Sequence, residues 1–215
     1  MAKKNTGRKV FKDLIREAIY KAIVEGELQP GDRIIEMEWA ERFDSSQAPV
    51  REAIRELESL GVVESLPFKG ASVRELNQKE LQDIRSVRAG LETIALRNAI
   101  RKADNEAVEK LRQILDEMEA AAAANDRNSF VEKNVEFHQE IIYMAHTTEL
   151  MKMWNMCNIR IWTAFTTDHT KKEMMELAKR HEVIYETLKN RDEAHVFEVM
   201  IEHFEEINET AGNDI

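Results

Sequence analysis

Residues 26–70 read GELQPGDRIIEMEWAERFDSSQAPVREAIRELESLGVVESLPFKG, and the order of their local signals decides the fold of this part of the chain. A turn that contains glycine and proline comes first, followed by a short amphipathic helix and a polar elbow. A second amphipathic helix and a tight hairpin complete the segment. Two helices joined by a short elbow and followed by a hairpin are typical of a winged helix-turn-helix.

The second helix of this segment has recognisable start and stop signals. Ser46 is a suitable N-cap, and Pro49 falls in the first turn, where its missing N–H costs little. Gly61 is suited to the left-handed position just beyond the helix. The apolar residues recur at helical spacing and predict a buried stripe of Val50, Ile54, Leu57 and Leu60.

The opposite face of the same helix has the chemistry for DNA recognition. Gln47, Arg51 and Arg55 are four residues apart and therefore point outward together. One amide and two guanidiniums can contact base edges and phosphates. An ordinary solvated helix face is the alternative interpretation of this row, and the surrounding layout favours the DNA-binding one.

The segment resembles the DNA-binding domain of the GntR family of bacterial transcription regulators. The resemblance lies in GELQPGDRI (26–34), Glu36, AERF (40–43), PVREAIREL (49–57), GVVE (61–64) and KGA (69–71). SVRAGLE (86–92) resembles the start of the helical effector domain, called FCD, of the FadR subfamily. The resemblance implies that DNA is contacted by Arg8, Lys9, Ser46, Gln47, Arg51, Arg55, Lys69 and Gly70.

Two positions depart from the pattern of that family. Met37 and Gln47 stand where its members commonly carry arginines that touch DNA. These changes leave the fold expectation intact but do not support the typical operator sequence of the family. The Gln47 amide is suited to reading adenine.

The distribution of charge is compatible with DNA binding, although the formal net charge is −10. Residues 1–16 carry six basic side chains against one acid, which predicts a basic arm for phosphate contacts. The excess of acid lies beyond residue 75. One cysteine, Cys157, excludes an internal disulfide, and no apolar run approaches membrane-spanning length, so we expect a cytoplasmic protein without membrane contact.

From residue 77 onward the apolar pattern is helical, with almost no glycine or proline. We therefore predict a mainly α protein of two domains, with a winged helix-turn-helix at 1–76 and an antiparallel bundle of about six helices at 77–215. Short polar turns separate the helices. Their expected extents are 78–101, 104–124, 127–145, 147–168, 171–190 and 192–210.

Three of the six histidines, all of which lie in the bundle, resemble the metal ligands of FCD domains. His138 follows Asn134 by four residues, where the family has Asp-x-x-x-His, and His181 and His203 are 22 residues apart on two later helices. The resemblance implies a divalent metal, with zinc or nickel as the ions that suit imidazole. Asn134 replaces a carboxylate by a neutral amide, which predicts weaker binding and leaves a metal-free site as an alternative. His146, His169 and His195 match nothing in this pattern.

Arg88 has two interpretations. In the resembled family an arginine here can face the effector cavity and pair with an organic acid. It can equally form a pair within its helix with Glu92, four residues on. Trp154, Trp162, Phe165 and the methionines near them suggest core or dimer packing, with core favoured.

Together these features predict a ligand-responsive transcription regulator that is not an enzyme. Its expected partners are a palindromic DNA operator, a small organic acid effector and a second copy of the chain. Repression is the more frequent mode in the resembled family. Two alternatives stay open, namely a metal-dependent enzyme built on the histidines and a DNA-binding protein with a ligand-free bundle.

Overall fold

The computed structural model describes residues 2–66, 70–169 and 173–205, with side chains from residue 11 onward except those of 66, 166, 168, 169 and 205. The chain divides into two compact units, residues 1–76 and 77–215. Each unit has its own apolar core. Among the described residues, no helix combines the length and the apolar character needed to cross a membrane.

The first unit combines three helices with a small sheet. In chain order its elements are α1 (Ala2–Val24), β1 (Arg33–Ile34), α2 (Glu36–Arg42), α3 (Gln47–Ser59), β2 (Val63–Leu66) and β3 (Gly70–Val73). The sheet is antiparallel with the order β1-β3-β2, and Arg33 pairs with Ser72 while Val63 pairs with Val73. This arrangement is a winged helix-turn-helix in which β2 and β3 form the wing.

Two features of this unit differ from the sequence interpretation. The basic N-terminal segment belongs to α1 and is not an extended arm, because the apolar side chains of Ile15, Ile19 and Ile23 recur at helical spacing and are buried in the core. Strand β1 was not expected, since two residues are too few for a periodicity signal and its partner strand lies far along the chain.

The second unit is an all-helical bundle of seven helices among the described residues. They are α4 (Gln78–Lys102), α5 (Asn105–Ala123), α6 (Arg127–Met144), α7 (Thr148–Met156), α8 (Ile159–His169), α9 (Met174–Lys189) and α10 (Val196–Glu205). Side-chain caps at Asn77, Asp104 and Asp126 accept backbone N–H groups at the starts of α4, α5 and α6. The core is lined by large apolar residues of several helices, including Leu96, Leu115, Phe130 and Ile141.

The predicted helix at 147–168 is wrong, because two helices occupy this range. Asn158 has a φ of 48°, a left-handed conformation that asparagine tolerates better than most residues and that stops α7. Cys157 caps α7 and is half-buried. Met153 and Met156 are exposed, whereas Trp154, Trp162 and Phe165 are buried in the core.

Candidate DNA interface and metal-binding cavity

Helix α3 presents one buried and one outward face. Val50, Ile54 and Leu57 are buried as predicted. The prediction for Leu60 is wrong, because this residue caps the helix and is 41% exposed. Gln47, Arg51 and Arg55 are exposed together on the other face. Gly61 has a φ of 72°, the left-handed conformation that ends the helix and turns the chain toward β2.

The outward face is organised by a network around Arg51. Its Nε donates to Glu36 Oε2 of α2 at 2.6 Å, and its Nη2 donates to Gln47 Oε1 at 2.8 Å. The guanidinium of Arg51 is therefore held by Glu36, the first residue of α2, and by Gln47, the first residue of α3. Met37, at the family's arginine position, is exposed beside Glu36.

The other predicted DNA contacts are placed as follows. Ser46 occupies the N-cap position of α3, but its side chain makes no capping hydrogen bond. Gly70 begins β3 with a φ of 80°. Arg8 and Lys9 lie on α1 with side chains outside the described ones, and Lys69 lies outside the described residues altogether.

Helix α1 is fixed to the recognition helix by charge. Glu56 of α3 accepts from Lys12 Nζ at 2.5 Å and from Arg16 Nη1 at 3.0 Å. Hydrogen bonds from these two cations lower the pKa of Glu56, Lys12 acting most strongly. Two of the basic residues counted in the N-terminal segment thus have a structural partner in the first unit.

In the second unit, three helices bring His138, His181 and His203 together. They lie on α6, α9 and α10, all are buried, and their ligand atoms lie within 4.8 Å of one another. Burial lowers the pKa of His181 to about 3, and burial also lowers the pKa of His203 well below its usual value. Neutral imidazoles are the form that binds metal ions.

The orientation of two of these rings fits a cation. His181 Nδ1 lies 3.0 Å from the backbone carbonyl of Leu177, so this nitrogen donates and Nε2 keeps its lone pair. The Nε2 atoms of His138 and His181 are 3.2 Å apart. Two nitrogens that share a zinc ion are separated by about 3.3 Å, since Zn–N bonds are about 2.0–2.1 Å long. The three histidines could therefore hold a metal ion.

Asn134 also belongs to this cluster. Its Nδ2 lies 3.1 Å from His181 Nε2. An ion would instead require the amide oxygen, which a half-turn of the terminal amide brings to the same place. The donor set of three imidazoles and one amide carries no negative charge of its own.

Sequence reasoning missed the principal role of Glu92, which it considered only as a pair for Arg88. The carboxylate is 1% exposed, and its Oε2 lies 2.5 Å from His138 Nδ1. Its Oε1 accepts from Arg88 Nε and from Trp154 Nε1, each at 3.1 Å. Burial by itself would raise the pKa of Glu92, but His138 and Arg88 outweigh burial and lower that pKa to about 2.

Arg88 forms the predicted pair within its helix and also faces a cavity. It pairs with Glu92 through Nε, and its guanidinium lines a cavity of about 50 Å³ next to the three histidines. Arg88 is 7% exposed, and its buried Nη2 has no hydrogen-bond partner among the described residues. Phe204 lies under the guanidinium, with 4.9 Å between Cζ and the ring centroid.

Two more arginines line the cavity. Burial and the neighbouring guanidiniums of Arg88 and Arg180 lower the pKa of Arg85. Arg180 donates through Nη2 to the backbone carbonyls of Glu202 and His203, which fixes α10 against α9. The aromatic walls are Phe130, Trp162 and Phe204. Three cations and apolar walls form an environment suited to an organic anion.

The remaining histidines lie away from this cluster. His146 is exposed at a left-handed position after α6. His195 is exposed and pairs with Asp192 at 2.7 Å. His169 ends α8, and its side chain is outside the described ones.

A winged helix-turn-helix with an arginine-bearing outward face, joined to a helical unit with a cationic cavity, defines the class of DNA-binding transcription regulators with a ligand domain. Residues 11–73 match the family of bacterial regulatory proteins called gntR, and residues 83–206 match the FCD domain. The chain belongs to the GntR family and carries an FCD domain.

Named relatives agree with this assignment. The chain is 33% identical to the "Probable D-xylose utilization operon transcriptional repressor" of Paenarthrobacter nicotinovorans, over 83% of this chain and 78% of that protein. It is 25% identical to the gluconate operon transcriptional repressor of Bacillus subtilis, over 97% of this chain and 86% of the relative. These proteins are transcription regulators, and nothing in the comparisons supports the enzyme alternative.

The fold also has a solved counterpart. The structure of E. coli McbR/YncC superposes with a TM-score of 0.76 at 21% identity, covering 91% of this chain and 94% of that one. At this level of identity the likeness concerns the fold, a helix-turn-helix unit followed by a helical bundle.

Proposed function

We propose that this GntR-family regulator is a repressor whose helical domain senses a small organic acid through Arg88 and a divalent metal ion. Residues 1–76 bind the operator, and residues 77–215 hold the effector and dimerise. Two of the named relatives are repressors, which supports this mode of action. A regulator of bacterial DNA works where that DNA is, so we infer a cytoplasmic protein.

One observation carries the sensing part of the proposal, namely the buried Nη2 of Arg88 in a cavity beside three converging histidines. A buried guanidinium N–H without a partner is costly, and a carboxylate from the cavity would satisfy it with a charge-assisted hydrogen bond. The same anion can bind an ion held by His138, His181 and His203. We expect zinc or nickel there, with Asn134 as the fourth and weakest ligand.

The metal would act by charge. A divalent ion supplies a positive centre that attracts the effector's second oxygen group, since all four proposed protein ligands are neutral. Arg88 orients the other end of the anion. The protein then has two states that differ in affinity for DNA. The effector shifts the equilibrium toward the state that it binds more tightly, by the difference between its affinities for the two states.

A homodimer is part of the proposal, and α4 offers a suitable face. Val87 and Ile94 are exposed on either side of Gly90, where a missing side chain permits close approach of another helix. Exposed Asp83 and Arg97 lie seven residues to either side of Gly90. An antiparallel two-fold pairing centred on Gly90 brings each acid opposite the arginine of the second copy. A dimer would then read a palindrome with two α3 helices.

The sensing proposal is tested with DNA selected from a random pool by the purified protein. Its affinity is measured against a panel of small mono-, di- and hydroxy-carboxylic acids and sugar acids. We expect one class of acid to weaken DNA binding, and Arg88→Met to abolish that response while the effector-free affinity stays unchanged. Arg160→Met is the matched control, because Arg160 is an exposed arginine of the same domain outside the cavity. A response that survives Arg88→Met, or DNA binding that no acid alters, would reject effector sensing at this cavity and favour a ligand-free bundle.

A further inference from the structure

Glu92 connects the two halves of the proposed site. One of its oxygens contacts the metal-ligand candidate His138, and the other holds the effector-binding candidate Arg88. The residue lies on α4, while His138 lies on α6 and Trp154 on α7. The carboxylate is therefore held by side chains of two other helices as well as its own.

The hydrogen between Glu92 and His138 belongs to the imidazole. Glu92 Oε2 and His138 Nδ1 lie 2.5 Å apart, although neither atom has the geometry of a regular hydrogen bond. Two lone pairs at this distance repel, so the contact favours a hydrogen on one of the two atoms. Oε1 of the same carboxylate already accepts two N–H groups, one of them from a guanidinium, and such donors favour the ionised carboxylate. His138 therefore carries a hydrogen on Nδ1, and its Nε2 lies 3.2 Å from Nε2 of His181, the two atoms between which an ion would bind.

We propose that Glu92 is the positioning residue of this site, which fixes the metal-binding tautomer of His138, supplies the negative charge that Asn134 does not, and holds Arg88 with its terminal nitrogens toward the cavity. The inference rests on the proposed function for the identity of the ion and the effector. A carboxylate behind a metal-ligating imidazole orients the ring and strengthens it as a ligand. In this chain it would also offset the positive charge of the ion, because the four candidate ligands are all neutral.

The geometry makes Glu92→Gln an informative change. Arg88 Nε and Trp154 Nε1 both donate to the position of Oε1, so the carbonyl oxygen of the new amide must take that position. The amide NH₂ then faces His138 Nδ1. Because a donor there requires an acceptor, the ring hydrogen moves to Nε2, the atom that would bind the ion. The substitution keeps the shape of the side chain and reverses the tautomer.

The experiment uses the full-length protein, stripped with a chelator and then titrated with zinc alone. Nitrogen-15 NMR of the histidine rings in the stripped protein should show a hydrogen on Nδ1 of His138 in the parent and the Nε2–H tautomer in Glu92→Gln. Zinc affinity should fall about 10–100-fold in the variant, the usual effect of removing such a partner.

Glu140→Gln is the matched control. Glu140 is another largely buried acid and pairs with Lys110, away from the three histidines. This variant should keep the parent tautomer and zinc affinity. Equal zinc affinity in Glu92→Gln and the parent would overturn the proposal. An Nε2–H tautomer of His138 in the parent would also overturn it, and this measurement requires no variant. A parent that binds no zinc would reject the metal part of the proposed function, while the tautomer measurement still decides the role of Glu92.

Discussion

Arg51 of the recognition helix and Glu36 of the preceding helix form an ion pair, with 2.6 Å between Nε and Oε2. The pair is partly exposed, so its contribution to folding stability is small. The ion pair instead orients the Arg51 side chain, because it holds the guanidinium at the start of α3 beside Gln47. The side chain that we expect to read DNA is thus positioned before DNA is bound.

Replacing Arg51 by alanine should weaken binding to the specific site by about 1–3 kcal/mol and relax base preference at one position. The loss should appear in titrations of selected DNA at fixed salt. Arg160→Ala, an exposed arginine of the second domain, is the control and should bind as the parent does. An Arg51→Ala protein with parental affinity would show that this face of α3 does not contact the operator.

Lys9→Ala should weaken binding to all duplexes alike. Lys9 belongs to the basic first turns of α1, which we expect to meet phosphates and not base edges. The slope of log affinity against log salt should become shallower by about one, which is the signature of one lost phosphate contact. A change confined to the selected sequence would contradict this role.

The protein should be a homodimer at micromolar concentration, with light scattering returning twice the chain mass. Ile94→Asp places a charge on the exposed apolar face of α4 and should shift the protein toward monomer. Val183→Asp changes another exposed apolar residue, on α9, and serves as control. A parent that is monomeric, or an Ile94→Asp protein that stays dimeric, would argue against the α4 interface.

Restoring a carboxylate at position 134 should tighten metal binding. Asn134→Asp adds a charged oxygen ligand next to His181, so zinc affinity should rise by about tenfold or more. Changes to residues that contact only the ligands of a metal already alter its affinity by about 10–100-fold. A chelator should lower the melting temperature of the metal-loaded parent, because an ion that binds only the folded state stabilises it. Elemental analysis of protein purified without chelator or affinity metal provides the check. If neither protein gains zinc or nickel, the three histidines are not a metal site.

In the presence of chelator, the free energy of unfolding should fall as the pH is lowered from 7 to 5.5. Burial lowers the pKa of His181 to about 3 and also lowers that of His203, so both stay neutral in the folded protein. The unfolded chain takes up protons at these positions below about 6.5, the usual pKa of histidine. Each of the two histidines should lower the free energy of unfolding by about 1.4 kcal/mol per pH unit once the pH is well below this unfolded-state pKa.

Urea unfolding at the two pH values measures this effect. His146→Asn is a suitable control, because His146 is exposed and its left-handed backbone suits asparagine. That variant should retain the full pH dependence. A stability that does not change between pH 7 and 5.5 would mean that the histidine cluster opens to solvent.

The sequence by itself determined the features that depend on near neighbours. The cap position of Ser46, the first-turn Pro49 and the left-handed Gly61 define α3, because caps and turns are set within a few residues. The resemblance also singled out His138, His181 and His203. Their spacing marks them as candidates, but it gives neither the direction of a ring nor the state of its nitrogens.

Tertiary structure decided the contacts between residues that are far apart along the chain. Glu92 meets Trp154 from 62 positions away, and Glu56 meets Lys12 from 44. Strand β1 exists because β3 supplies its hydrogen bonds, and the break at Asn158 allows α7 and α8 to pack separately. No local periodicity encodes such pairs, since they form only when the apolar faces of the helices have packed. The tautomer of His138 and the orientation of Arg88 follow from that packing.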